Sequence, residues 1–292
     1  MARKKGMLVK ADKVTNPKKE KIPYIYKTLD ESLQQKTLLA SEAQIYKLNQ
    51  EGLVKEPIIL QLSTEVPTTN LSTKEFTRRM INIPNRLRLV KNTSILLVTK
   101  DPVDNYRIPI TLPTAITTDT FTDIIGFKKF KSLVGTSKKA LKTFHEYDII
   151  IVDNRLHKFL PKLLAPTIFC KSSQNFPLML QFALPTSDVI VIKRRKEKDE
   201  LDLDYIQSQI KAWCKNTTFV PSTGSSLSII VGYPNMSGSD ITENIDAVLT
   251  YLTDKKFKPI GGIIPDGING IADIHLRAND KSVPVLKKGS RD

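Results

Sequence analysis

Two short runs of consecutive apolar residues constrain this chain more than any other feature. Ser94-Ile95-Leu96-Leu97-Val98-Thr99 ends at Lys100-Asp101-Pro102, and Asp148-Ile149-Ile150-Ile151-Val152-Asp153 repeats the texture. Runs of this length, rich in β-branched residues, suit strands buried on both faces, which requires helices on either side of a largely parallel sheet. The intervening helices agree. Leu156, Phe159, Leu160, Leu163 and Leu164 fall on one helical stripe, and Ser137, Leu141 and Phe144 form a shorter one. Residues 93–188 therefore read as a compact α/β unit.

The flanks have a different texture. A helix is predicted from about Lys27 to Gln50, stopped by Gly52; strand-like Ile58-Ile59-Leu60-Gln61-Leu62 follows Pro57, and Met80-Ile81-Asn82-Ile83 runs into Pro84. Beyond Pro185, Leu203, Ile206, Ile210 and Trp213 mark an amphipathic helix, with Trp213 as a core residue, and Leu227, Ile229 and Val231 alternate as a half-buried strand. Asp240 and Glu243 resemble a capping box ahead of the apolar face Ile241, Ile245, Val248, Leu249 and Leu252. Ala272, Ile274 and Leu276 then alternate with Asp273, His275 and Arg277, a strand with one polar face. Amphipathic helices and half-exposed strands on both sides of buried strands are the pattern of one domain inserted into another. The expected division is 23–92 with 189–285 as the split domain, 93–188 as the insert, and 286–292 as a tail. Residues 1–22 hold eight Lys/Arg against Asp12 and Glu20, and read as a disordered basic arm.

Charge restricts function. The chain carries a net charge of +15 over 292 residues, with basic clusters at Lys128-Lys129-Phe130-Lys131, Lys138-Lys139 and Lys193-Arg194-Arg195-Lys196. A surplus that large repels itself and favours a partner of opposite sign, nucleic-acid phosphate first; a merely basic soluble protein is the alternative. Aromatics are only 7%, which argues against base-stacking platforms and for recognition of folded RNA by shape and backbone. Cys170 and Cys214 cannot by themselves build a disulfide framework or a zinc site. With neither an apolar run of membrane-spanning length nor a signal-like h-region, an intracellular, reducing compartment is expected, and the sequons at Asn70, Asn92, Asn216 and Asn235 read as chance matches.

Candidate sites are few. Asp101 and Asp153 follow the two buried strands, where open α/β sheets bind ligands, and could hold Mg²⁺ for phosphoryl chemistry; the competing reading is that each caps the next turn. Gly135-Thr136-Ser137-Lys138 lacks phosphate-loop spacing and reads as a helix start capped by Thr136 or Ser137. Gly261, Gly262, Gly267 and Gly270 read as a loop where backbone can approach a partner closely. His145, His157 and His275 have no ligand spacing, although His275 shares a predicted strand face with Arg277, near Lys281. No catalytic, metal or cofactor set emerges.

The order of segments resembles the ribosomal protein L-one family, the protein of the large-subunit stalk. The resemblance rests on Ile95 to Pro102, on Tyr147 to Leu156 followed by Leu160-Pro161-Lys162-Leu163-Leu164, and on Leu227-Ser228-Ile229-Ile230-Val231-Gly232 followed by Glu243-Asn244-Ile245-Asp246-Ala247-Val248. It implies a split α+β domain carrying most RNA contacts and an inserted Rossmann-like domain without a nucleotide. Departures from the ribosomal members at Leu276 to Pro284 and at Leu53-Val54-Lys55-Glu56-Pro57 point away from the stalk of mature ribosomes. The chain is more similar to the eukaryotic ribosome-biogenesis branch. Within it, Lys211 to Thr218 followed by Pro221 is similar to the fungal member found with the U-three snoRNA-associated small-subunit processome.

The resemblance therefore implies a non-catalytic factor that binds pre-ribosomal RNA in the nucleolus, among preribosomal assembly factors. A protein–protein scaffold in a preribosome, including a large-subunit precursor, is the alternative, and a metal-dependent phosphohydrolase on Asp101 and Asp153 a more distant one. In the family's fold the first and last strands of the split domain lie side by side. The resemblance thus assigns RNA contact to Lys55, Arg277, Asn279 and Lys281.

Overall fold

The computed structural model describes residues 23–67, 78–164, 176–184, 201–221, 224–258, 260–264 and 266–287. The basic arm at 1–22 and the Lys193–Lys196 cluster lie outside the described residues. In chain order the elements begin with α1 (Glu31–Gln50), β1 (Ile58–Thr64) and β2 (Arg79–Ile81). Next come β3 (Ile95–Thr99), α2 (Asp104–Thr111), β4 (Asp123–Gly126), α3 (Phe127–Val134), α4 (Ser137–Glu146), β5 (Ile149–Asp153), α5 (Leu160–Leu164), β6 (Leu178–Leu180) and α6 (Leu203–Lys215). The chain returns through β7 (Thr217–Phe219), β8 (Ser226–Gly232), α7 (Gly238–Thr253), β9 (Ile271–Ala278) and β10 (Lys281–Lys287).

The two apolar runs become neighbouring central strands. Among the described residues, β4, β3, β5 and β6 form a parallel sheet in that order, and every residue of β3 and β5 is buried. The period of two divides their side chains between two cores. Leu96, Val98, Ile150 and Val152 meet α3, α4 and α5, whereas Ile95, Leu97, Ile149 and Ile151 meet α2 and α6. The expected stripe from Leu156 to Leu164 is not one helix: residues 154–159 form a 3₁₀ turn, α5 starts at Leu160, and Phe159 points largely to solvent. Pro161 cannot donate a backbone hydrogen bond, so it is accommodated in the first turn of a new helix rather than inside a continuing one.

The chain ends build a second, antiparallel sheet in the order β10, β9, β1, β8. Along β1 buried and half-buried residues alternate strictly, and Ile58, Leu60 and Leu62 join the core covered by α1 and α7. β2 and β7 add a two-stranded antiparallel pair, so among the described residues the mixed α/β architecture combines one parallel four-stranded sheet with antiparallel pairing built from the chain ends. α1 begins four residues later than expected because Tyr24 to Leu29 are held outside the helix. The buried Asp246 carboxylate on α7 accepts hydrogen bonds from the Lys27, Thr28 and Leu29 amides at 2.9–3.0 Å and from the Tyr24 hydroxyl at 3.0 Å. Asp30 then caps α1 by accepting from the Leu33 amide.

Three other details depart from the sequence reading. The cap of α7 is Ser237, whose Oγ accepts from the Asp240 amide, while Glu243 accepts from the Asn85 side chain instead of closing a capping box. The expected boundary at 188/189 assigned α6 to the split domain. Its Ile206, Ile210 and Cys214 pack on the parallel sheet, with Trp213 only partly buried beside them. The last strand runs to Lys287, so Leu286 and Lys287 belong to a sheet rather than to a tail.

Candidate nucleic-acid interface

The four residues expected to touch RNA gather at one end of the antiparallel sheet, though not in one contact. β1 pairs with β9 so that Ile59 faces Arg277, and β9 turns into β10 with Ala278 opposite Lys281. The chain before β1 therefore lies at the same end as the β9–β10 turn. Asn279 occupies the turn with φ of +51°, a left-handed conformation that asparagine tolerates better than most residues. The Arg277 Nε donates back to the Asn279 carbonyl at 3.1 Å, which lays the guanidinium along the turn. Lys281 pairs with Glu51, just past the end of α1. From α1 the buried Gln44 Nε2 donates to the Leu276 carbonyl at 2.9 Å and the Lys281 carbonyl at 3.3 Å. The hairpin is thus fixed to the helix beneath it while its charged tips stay exposed. His275 lies on the same strand at a half-buried position, with Ser282 Oγ 3.4 Å from its Nδ1.

Lys55 lies in the chain that leads into β1, apart from the hairpin contacts. It lines a cleft of about 280 Å³ with Arg86, Arg88, Asn92, Tyr233 and Asn235, and Asp148 is its one carboxylate. The cleft exists because both crossings between the two sheets run together. The Leu87 amide donates to the Lys215 carbonyl at 3.1 Å, the Arg88 amide to the Cys214 carbonyl at 2.9 Å, and the Ile83 amide to Asn216 Oδ1 at 3.3 Å. Arg88 donates to the Tyr233 hydroxyl, and its guanidinium sits 4.9 Å from the centre of that ring. Burial raises the Tyr233 pKa, with Arg88 opposing. Burial and the nearby Arg88 charge push the Arg78 guanidinium down to about 10. Arg86 and Arg88 escaped the sequence reading. Their signal was the alternation Arg86-Leu87-Arg88-Leu89, in which Leu87 is buried and the cations flank it.

Asn244 binds the crossing to the split sheet. This buried amide donates to the Val231 and Asn85 carbonyls, both at 3.0 Å, and accepts from the Asn85 amide at 2.9 Å. The segment Glu243-Asn244-Ile245-Asp246 thus ties together the crossing loop through Glu243, β8 and that loop through Asn244, the core through Ile245, and the incoming chain through Asp246.

The aspartates at the far end of the parallel sheet are engaged as caps. Asp153 accepts from the Arg155 amide at 2.9 Å and from its guanidinium at 2.5–3.0 Å. Burial disfavours the Arg155 cation, but Asp153 and Tyr106 outweigh it and raise its pKa. Asp101 accepts from the Lys128 amide at the start of α3 at 3.0 Å. Thr136 caps α4, and the glycine stretch packs against its own domain, the Gly262 amide donating to the Tyr251 carbonyl at 2.9 Å. Among the described residues no group of three or more His, Cys, Asp or Glu is placed to hold a metal ion, and no helix is long and apolar enough to cross a membrane.

The model of the ribosomal protein L1p/L10e family matches residues 11–280. Ribosome biogenesis protein UTP30 of Saccharomyces cerevisiae is 32% identical over 214 residues, covering 70% of this chain and 75% of that protein. A Schizosaccharomyces pombe protein bearing a ribosome biogenesis name is 23% identical over 274 residues, 93% of this chain and 84% of its own length. A second from the same yeast is 24% identical over 231 residues, 79% of this chain and 54% of its own length.

Proposed function

Because the chain belongs to the ribosomal protein L1p/L10e family, we propose that it is a non-catalytic ribosome biogenesis factor that binds folded precursor ribosomal RNA. Its place in this reading is the nucleolar small-subunit preribosome, which the resemblance at Lys211 to Thr218 implies; the yeast relative is named a ribosome biogenesis protein. The observation that carries the reading is two groups of cations, one on the hairpin at an end of the antiparallel sheet and one around the cleft beside Lys55. Arg277 and Lys281 stand on the hairpin, Lys55 before β1, and Arg86 and Arg88 on the crossing. Glu51, paired with Lys281, and Glu56, beside Lys55, do not match their charge.

The split domain is the principal reader in this view. Guanidinium groups suit phosphate because they donate two parallel hydrogen bonds, and Asn279 is placed at the turn tip to meet a 2′-hydroxyl or base edge. The engagement of Asp153 by Arg155 and of Asp101 by the Lys128 amide supports capping over metal-dependent phosphate chemistry.

The test is binding to structured ribosomal RNA fragments over a salt series. Affinity should fall by orders of magnitude with salt if about six or more phosphates are contacted. Arg277→Glu with Lys281→Glu should abolish preference for the folded fragment while the melting temperature barely moves, since exposed charges contribute only about 0–1 kcal/mol each. A salt-independent wild type, or a double variant that binds normally, overturns the assignment.

A further inference from the structure

We infer that the α3–α4–α5 layer of the inserted unit is a second RNA surface, one that grips the phosphate backbone of a helical RNA without reading its sequence. The inference rests on the RNA-binding reading above and adds a site on the parallel sheet's own helices, separate from the β9–β10 hairpin. Lys128, Lys129 and Lys131 on α3, Lys138, Lys139 and Lys142 on α4, Lys158 before α5 and Lys162 within it are all exposed. Among the described residues none of these eight side chains forms an ion pair. The carboxylates nearby are engaged or stand at the edge of the layer; Asp123 accepts from the Tyr147 hydroxyl at 3.2 Å. Asp101 is occupied by the Lys128 backbone amide, and Glu146 is the last residue of α4.

Their placement is the second observation. Lys128 and Lys129 occupy the first turn of α3, and Lys138 and Lys139 the first turn of α4, with no acidic residue in either turn. A helix N-terminus carries partial positive charge and favours acids there, so both lysine pairs work against their own helices. They are exposed, and the buried faces of these helices are supplied by Phe127, Phe130, Val134, Ala140 and Thr143. An arrangement that costs local stability and leaves the charges exposed is explained by an anionic partner.

The layer is continuous. Phe127 of α3 and Phe159 beside α5 meet at 5.9 Å, and Lys131 and Lys158 lie 4.7 and 5.1 Å from the centres of those two rings. On the opposite face of the same sheet the charges are mixed, with Asp104 and Arg107 on α2 and Asp204, Lys211 and Lys215 on α6. On the α3–α4–α5 face the eight cations are all ammonium groups without an ion pair among the described residues, which suits point-charge contact with phosphates rather than bidentate recognition of base edges. An extended helical RNA matches such a broad surface better than a single flexible strand, because among the described residues of this layer Phe159 is the one substantially exposed aromatic side chain.

The experiment uses the full chain with Lys128→Gln, Lys129→Gln, Lys138→Gln and Lys139→Gln combined, titrated with an RNA duplex and with the structured ribosomal fragment at several salt concentrations. The slope of log K against log salt should fall by about two to four, roughly one for each phosphate no longer neutralised. Affinity for both RNAs should drop at least about tenfold, and the ratio between them should stay as in the wild type. The melting temperature should be equal or higher, because the first-turn repulsion is relieved; a fall would mean the lysines serve stability and overturn the inference. An unchanged slope, including the case where the variant instead loses an acidic protein partner, also overturns it. A wild type with no salt-dependent RNA binding removes this inference together with the reading beneath it, whereas a steep wild type with an unaffected variant removes this inference alone.

Discussion

The two sheets solve the problem of burial in opposite ways. In the parallel sheet β3 and β5 are apolar at nearly every position, and helices on both faces seal them, so the unit is held by dispersion and water exclusion. In the antiparallel sheet β1 buries every second residue, and polar contacts between distant parts of the chain do much of the joining. Asp246 meets Tyr24, Lys27, Thr28 and Leu29 more than 200 residues away, and Gln44 reaches the β9–β10 hairpin across a similar separation. A unit assembled from both chain ends has to specify which end goes where. Directional hydrogen bonds to a buried carboxylate or amide do this, whereas apolar contacts are non-directional.

The contrast predicts different failures. Asp246→Ala should be the most damaging single change, about 3–5 kcal/mol, because several buried donors lose their acceptor at once. Leu97→Ala should cost the parallel sheet about 2–5 kcal/mol through a cavity between β3 and its helices. In urea unfolding followed by a probe in each unit, Asp246→Ala should shift the split unit's transition and Leu97→Ala the inserted unit's. If both variants move one shared transition equally, the two units do not fold separately and the contrast fails.

Smaller effects sharpen the picture at the hairpin. Asn279→Ala should lose about 1–2 kcal/mol because alanine resists the left-handed conformation, and Asn279→Gly should stay within a few tenths of the wild type. If Asn279→Gly is stable yet binds RNA poorly, the side chain acts on RNA; if it binds normally, Asn279 is there only to make the turn.

The smallest effect is expected at high pH. Burial first, then the Asp246 charge and the hydrogen bond to it, raise the Tyr24 pKa above its ordinary value of 10.0. The unfolded chain releases that proton earlier than the folded one, so the contribution of Tyr24 is complete below about pH 10 and declines above it. Tyr24→Phe should be less stable at neutral pH but should lose less on going from pH 9 to 11, measured by denaturation at each pH. An identical pH slope in the variant would show that other tyrosines account for the decline.

Much of this molecule is readable in one dimension. The apolar runs at 95–99 and 149–153, the alternation in β1, β8 and β9, and the apolar stripes of α6 and α7 all report burial through a local period, and the strands and helices follow. The difference between the two kinds of sheet is legible too, because strands sealed on both faces and strands sealed on one leave different textures. Helix starts are less so. Asp240 looked like a cap but Ser237 serves, and α1 begins at Glu31 because a carboxylate more than 200 residues away holds the preceding backbone.

Of the candidate interface, the hairpin residues were visible through the family resemblance, since Arg277, Asn279 and Lys281 are close neighbours in the chain. The cleft beside Lys55 was not, because Arg86, Arg88, Tyr233 and Asn235 come from segments nearly 150 residues apart. The sequence alone therefore determined the central buried strands, the half-buried strands β8 and β9, the stripes of α6 and α7 and the sign of the net charge, since each is a property of neighbours along the chain. Only the tertiary structure decided that α6 packs on the parallel sheet, that the two crossings run side by side, and that Lys55, Arg86 and Arg88 line one cleft. An amphipathic stripe states that a face must be covered but not by what, and distant side chains meet only when the packing of everything between them brings them together.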